Sequence, residues 1–265
     1  MDYRTIRVTR SGGVATITLD RPEVMNALNG LMRAELRDAV SQIAPSAEGA
    51  EPTARVLVIT GAGRAFCSGQ DLGDRANVAT VNLDQVLRDE YHPLLMAISD
   101  SPVPVIAAVN GTAAGAGASL ALACDVVIAA ESARFVQAFA RIGLMPDAGG
   151  CWFLPRLVGP ARALGAALFA EAVTARDAAD WGMIWEAVPD ADFTGRVEAR
   201  AAALADGPTV AYRHIRAAMR NAWTQDLETH VGEEARRQGA CGQTRDFREG
   251  VLAFTEKRPP VFEGR

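Results

Sequence analysis

The chain is poor in the signatures that mark several common classes of function. Its four cysteines, Cys67, Cys124, Cys151 and Cys241, form no Cys-x-x-Cys pair. Their spacing suits neither a zinc site nor a disulfide framework, so four reduced, buried thiols are expected. There are three histidines, His92, His214 and His230, and none joins a Ser/His/Asp or metal-ligand pattern. A Gly-Lys-Ser phosphate loop and a dinucleotide fingerprint are both missing, which argues against nucleotide hydrolysis. The opening residues, Met1 to Arg7, have no apolar core, so a secretory signal is not expected. The longest apolar stretch, Val103 to Ala130, is broken by Asn110, Thr112, Ser119 and Asp125 and is not expected to span a membrane. Basic charge is not in excess: 27 Lys+Arg against 32 Asp+Glu give a net charge of −5. That balance argues against a nucleic-acid partner and suits a cytoplasmic protein.

What is present is a chain of 265 residues, 49% hydrophobic, long enough to bury a sizeable core. Ile6–Thr9 and Val14–Leu19 flank Ser11-Gly12-Gly13 and predict a hairpin. Leu28–Ile43 has helical spacing, with Asn26 or Asn29 as its N-cap. Pro45–Pro52 reads as a loop. Val56–Thr60, Val105–Val109 and Asp125–Ala130 read as buried strands, with helices over Leu83–Ile98 and Gly115–Cys124 between them. That alternation is an α/β pattern. Beyond Pro160 six helical stretches follow, ending before Lys257-Arg258-Pro259-Pro260. No internal repeat or low-complexity linker interrupts the chain.

Two segments carry candidate chemistry. Gly-rich loops follow two of the strands, Gly61–Leu72 and Asn110–Ala118, at the strand ends where open α/β sheets bind ligands. The second opens a helix, whose first N–H groups attract negative charge. Farther along, Asp147 sits in an apolar turn with Leu144, Met145, Pro146 and Trp152 as neighbours. Two readings of Asp147 stand. It caps the helix beginning near Gly149, or it is a carboxylate kept basic by its apolar setting.

These residues resemble the crotonase (enoyl-CoA hydratase/isomerase) superfamily nearly end to end. The motifs are Arg21-Pro22…Asn26-Ala27-Leu28, Thr60–Leu72, Val109-Asn110-Gly111…Cys124-Asp125 and Ala179-Asp180-Trp181-Gly182. Further stretches, Gly69–Arg75, Ala113–Ala118, Gly143–Asp147, Trp181–Trp185 and Phe247…Arg258, are most like the branch that isomerises ring-epoxide thioesters. The resemblance implies an α/β fold, a crotonase-like β-β-α superhelix with a helical C-terminal region. The core would span residues 1–200 and the oligomerisation region 201–265. It implies an acyl-CoA substrate, no metal or redox cofactor, a homotrimer or dimer of trimers, and a pathway hydratase as a further partner.

The resemblance also implies roles for residues. The amides of Gln70 and Ala116 would form an oxyanion hole. Coenzyme A would run past Val24, Met25, Ala27, Ala65, Asp71 and Leu72. Phe254 and Lys257 of a neighbouring subunit would meet its adenine end. Hydratases of the superfamily carry two glutamates where this chain has Ser119 and Phe139, whereas Asp147 stands where several isomerases carry their aspartate. A proton shift beside a thioester carbonyl is therefore the expected reaction. The alternatives are hydration, a dehalogenase or hydrolase using Asp147 as nucleophile with His92 as base, and a non-catalytic CoA-binding or RNA-binding protein.

Overall fold

The computed structural model describes residues 2–43, 53–73 and 82–265. The expected loop Pro45–Pro52 and the motif residues Asp74 and Arg75 lie outside them. Strands occur at β1 (Ile6–Ser11), β2 (Val14–Leu19), β3 (Val56–Gly61), β4 (Ala65–Cys67), β5 (Val105–Val109), β6 (Thr112–Ala114), β7 (Val126–Ala130), β8 (Arg134–Val136), β9 (Ala172–Thr174) and β10 (Glu186–Val188). The first sheet runs β1-β2-β3-β5-β7-β10, antiparallel only between β1 and β2. The second runs β4-β6-β8-β9.

The pattern of side chains explains the arrangement. β2 alternates and buries Ala15, Ile17 and Leu19 on one face. β3 and β5 are apolar on both faces because both are covered. Three times the chain passes from a long strand through a tight link (62–64, 110–111, 131–133) into a short strand. Each long strand extends the first sheet and each short one the second. The result is the stacked β-β-α turn that the resemblance implied. Asn110 ties neighbouring turns together. Its Oδ1 accepts from Gly61 N at 3.1 Å and its Nδ2 donates to the Gly63 carbonyl at 3.0 Å.

Helix α1 (Gly30–Ser41) is capped by Asn29, whose Oδ1 accepts from Met32 N at 2.8 Å. Asn26, the other candidate, has a different task described below. The single helix expected over 83–98 is α2 (Leu83–Val86), a π-helical turn over Leu87–Tyr91, and α3 (His92–Ser99). α4 (Ala116–Leu122) follows the second Gly-rich loop. α5 (Gly150–Phe169) begins where a helix near Gly149 was expected and continues, past a break at Gly159, through the helix expected from Ala161. The C-terminal part holds α6 (Ala175–Asp180), α7 (Phe193–Ala205), α8 (Thr209–Asn221), α9 (Leu227–Gly242) and α10 (Arg245–Glu256).

The expected division at residue 200 falls inside α7. That helix packs Val197, Ala201 and Ala205 against Val56, Val58 and Ile106 of the first sheet. α8 is tied to the same sheet by charge. Asp125 accepts from Arg216 Nε at 2.6 Å and from Arg220 at 2.8 Å. Arg216 also donates to the carbonyls of Ile98, Ser99 and Ser101 where α3 ends. The expectation of four buried thiols needs correction: Cys67 and Cys124 are buried, but Cys151 is exposed at the start of α5 and Cys241 is partly exposed. All four are free. Among the described residues no helix is long and apolar enough to cross a membrane.

Candidate active site

One side of the site grows from the Arg21-Pro22…Asn26 motif. Asn26 is buried with a left-handed backbone, φ 56°. Its Nδ2 donates to the carbonyls of Ala62, Ala65 and Phe66, and its Oδ1 accepts from Arg21 N. A short amide side chain thus fastens the 22–28 segment to the first Gly-rich loop. Leu28 then pairs with Gln70: Leu28 N donates to the Gly69 carbonyl at 2.7 Å, and Asp71 N donates to the Leu28 carbonyl at 3.2 Å. In a parallel pairing of this kind, the N–H of the middle residue, Gln70, faces away from Leu28.

The second Gly-rich loop approaches from the other side. Gly69 has φ 94°, and a Cβ there would lie 2.7 Å from the Ala114 carbonyl and 3.3 Å from the Ala116 nitrogen. Gly117 is closer still, since its Cβ would stand 2.3 Å from the Cys67 carbonyl. Only glycine allows the backbones of 67–70 and 114–117 to touch. Ala116 is the first residue of α4, so its N–H has no acceptor within the helix. The structure therefore brings Gln70 and Ala116 together.

Asp147 lies in the turn that precedes α5. It does not cap α5: the N-cap is Gly149, with no side-chain cap. Its own backbone is held, the carbonyl accepting from Ser119 Oγ at 2.9 Å and from Gly150 N at 2.8 Å. Its carboxylate is not. Oδ1 is buried with no hydrogen-bond partner among the described residues. Loss of water raises its pKa to about 6. The carboxylate borders an open cavity of about 1120 Å³ lined largely by apolar side chains, including Leu87, Leu95, Met145, Pro146, Trp152 and Phe153. A half-buried carboxylate that is unbonded and raised in pKa is suited to take a proton near neutral pH. Ser119 and Phe139 supply no carboxylate. Ser119 holds the Asp147 backbone, and the Phe139 ring lies against Gly115.

Tyr91 joins the two sides. It lines the cavity with Asp147, and its hydroxyl donates to Gln70 Oε1 at 2.6 Å. Burial raises its pKa. His92 borders the same cavity from an exposed position.

The other expected contacts divide into groups. Val24, Met25 and Leu72 are exposed around the loop, Leu72 by 61%. Ala27 and Ala65 are buried and present carbonyls to Arg21 and Asn26. Asp71 is engaged by Arg21 at 2.7 Å and by Gly73 N at 3.0 Å, so its carboxylate fixes the loop. Phe254 and Lys257 are exposed at the end of α10, and within one chain they do not line the Asp147 cavity. Phe254 lines a separate groove between α8, α9 and α10.

Sequence reasoning passed over Arg33, Glu90 and the Tyr91 hydroxyl. The signal was present for the first of them. Arg33 shares the buried face of α1 with Leu36 and Val40, and a charge on an apolar stripe asks for a partner.

Relatives share both this sequence and this architecture. The family model described as Enoyl-CoA hydratase/isomerase matches residues 9–265. A Rhodobacter capsulatus protein described as "Probable enoyl-CoA hydratase" is 60% identical over 265 residues, which is 100% of both chains. The 1,2-epoxyphenylacetyl-CoA isomerase of Escherichia coli is 45% identical over 257 residues, 96% of each chain. Among solved structures, the enoyl-CoA hydratase of Bacillus anthracis aligns with a TM-score of 0.89 at 34% identity, covering 99% of this chain and 100% of that one. With the stacked strand pairs and the close-packed Gly-rich loops, these matches lead to one conclusion: the chain belongs to the enoyl-CoA hydratase/isomerase family and has the crotonase fold.

Proposed function

We propose that this family member is an acyl-CoA isomerase that moves a proton next to a thioester carbonyl. The observation that carries the reading is Asp147, a carboxylate with an unbonded buried oxygen and a raised pKa facing an apolar cavity. Asp147 takes the α-proton, the amides of Gln70 and Ala116 hold the resulting enolate oxygen, and the same carboxyl returns the proton farther along. Donors placed at developing charge of this kind are worth about 2.7–4 kcal/mol each. One proton leaves and one returns, so the reaction as written requires no metal or redox group.

The substrate we propose is 2-(1,2-epoxy-1,2-dihydrophenyl)acetyl-CoA, converted to the oxepin thioester in phenylacetate breakdown. The Escherichia coli relative carries the name of that activity, and the aromatic cavity wall suits a ring. Removal of the α-proton gives a conjugated enolate. The carbon–carbon bond shared by the epoxide and the six-membered ring breaks, both C–O bonds stay, and return of the proton to a ring carbon completes the expansion. The same machinery would shift a 3-enoyl-CoA double bond into conjugation. The coenzyme would lie along Val24, Met25, Ala27, Ala65, Asp71 and Leu72. The exposed apolar residues of α9 and α10, Phe254 at 86% among them, support assembly into a trimer or pair of trimers. There Phe254 and Lys257 would reach a neighbour's coenzyme, and a pathway hydratase would be a further partner.

Hydration is the second reading, favoured by the description of the Rhodobacter capsulatus relative. It requires one group to activate water and another to deliver a proton, and Asp147 stands without a second carboxylate at Ser119 or Phe139. A panel of thioesters separates the two. The epoxide and 3-hexenoyl-CoA should yield isomers, and Asp147→Asn should abolish turnover while retaining thioester binding. Rapid hydration of crotonyl-CoA, or wild-type turnover in the variant, overturns the proposal.

A further inference from the structure

Arg33 is an anomaly in a helix that otherwise packs an apolar core. Only 1% of it is exposed, and α1 presents it inward beside Met32, Leu36 and Val40. A buried guanidinium persists only where its donors are satisfied. Nε donates to Glu90 at 2.9 Å, with a second bond from the fork to the same carboxylate. One terminal nitrogen donates to the Leu28 carbonyl and, at 3.0 Å, to Gln70 Oε1. The guanidinium also stands 4.9 Å from the centre of the Tyr91 ring. Glu90 and Tyr91 both come from the π-helical turn over Leu87–Tyr91, whose wider winding leaves Leu87 and Tyr91 lining the cavity.

All of these partners converge on one peptide. The Leu28 carbonyl that Arg33 holds is the acceptor for Asp71 N, while Leu28 N holds the Gly69 carbonyl. The residue between them, Gln70, has its side-chain oxygen gripped twice, by Arg33 and by the Tyr91 hydroxyl at 2.6 Å. The Gln70 segment is fixed before it, after it and through its side chain, and Arg33 takes part in two of the three restraints. An amide that stabilises developing negative charge acts through its fixed direction, because a donor that must turn during the reaction gives back much of its benefit.

We infer that Arg33 is a positioning residue for the Gln70 amide: it aims the N–H at the thioester oxygen without touching substrate. The inference rests on the isomerase reading for its use of Gln70 as an oxyanion donor. It also assigns a purpose to the Gln70 side chain, which faces a clamp and not the acyl group.

Two measurements test it together. Steady-state turnover of an isomerised thioester should show kcat reduced about 10–100-fold in Arg33→Met, with KM within about threefold of wild type. Arg33→Lys, which keeps the charge and loses the planar fork, should be intermediate. A 13C-carbonyl-labelled aryl-acryloyl-CoA bound to the Asp147→Asn protein should show its thioester carbonyl stretch lowered relative to water, and the lowering should shrink when Arg33→Met is added. A residue that merely stabilised the fold would change the unfolding temperature and leave that band unmoved. If Arg33→Met does not fold, Arg33→Lys and Tyr91→Phe give the same two readings. Wild-type kcat with an unmoved band in the Arg33 variants overturns the inference. Turnover retained by Asp147→Asn would instead sink the isomerase reading, and the carbonyl band would still judge Arg33.

Discussion

Around Gln70 the neighbouring polar groups are engaged: Gly69 O and Asp71 N with Leu28, and Gln70 Oε1 with Tyr91 and Arg33. Around Asp147 the backbone is engaged with Ser119 and Gly150, while Oδ1 has no partner among the described residues. In the proposed reaction the contrast follows from what each side has to supply. A donor amide needs a fixed direction, and hydrogen bonds to its flanks give it one. A base needs its charge poorly satisfied, since each donor aimed at the carboxylate would lower its pKa. One side is made by adding hydrogen bonds and the other by withholding them.

The largest effect should come from removing the withheld side. Asp147→Asn should cost about 10²–10⁴-fold in kcat, read from initial rates with the epoxide thioester. Restored activity in that variant would break the contrast outright. The donor side should be next. Gly117→Ala places a methyl where only 2.3 Å separates it from the Cys67 carbonyl, so α4 must move off β4. Turnover should drop about 10–100-fold, with a lowered unfolding temperature. The pH profile should sharpen the picture further. In the proposed reaction Asp147 acts ionised and its pKa is about 6, so kcat/KM should fall about tenfold per pH unit below that value and level off above it.

Stability should carry the opposite sign. The carboxyl's pKa is about 6 in the folded chain and about 3.9 unfolded. Between these values the folded state binds more protons, so stability declines as pH rises through the window, and the full penalty holds above it. Asp147→Asn should therefore be more stable than wild type at pH 8, by about 1–2 kcal/mol after allowing for partial solvent screening. The two proteins should coincide at pH 4 in denaturant titrations. Ser119→Ala should give the smallest effect, about 1 kcal/mol of stability and a few-fold loss of turnover, because it frees the Asp147 backbone and leaves the carboxylate in place.

The sequence was legible where one physical signal dominated. β3 and β5 are apolar runs bounded by Gly or Pro, and the 6–19 hairpin has alternation and a Gly-Gly turn. The second sheet was not legible. β4 and β6, Ala65–Cys67 and Thr112–Ala114, are three residues each and have no periodicity, and they are defined by pairing with each other and, for β6, with β8. α5 covers two expected helices, one beginning near Gly149 and one from Ala161, and Gly159-Pro160 marks the break between them. In the site, Asp147 was legible as a carboxylate among apolar neighbours. The clamp on Gln70 was not, because Arg33, Gln70 and Glu90 are far apart along the chain and meet only after α1 folds onto the π-helical turn.

The ion pairs from Asp125 to Arg216 and Arg220 have a consequence for how this chain can be cut or recombined. A fragment ending near Asp206 would strand a mostly enclosed anion at the tip of β7 with both of its counter-charges gone, and would uncap the carbonyls that close α3. The last sixty residues therefore work, through α8, as a latch on the wall of the Asp147 cavity, and exchanging them between relatives means exchanging the matching keyhole as well.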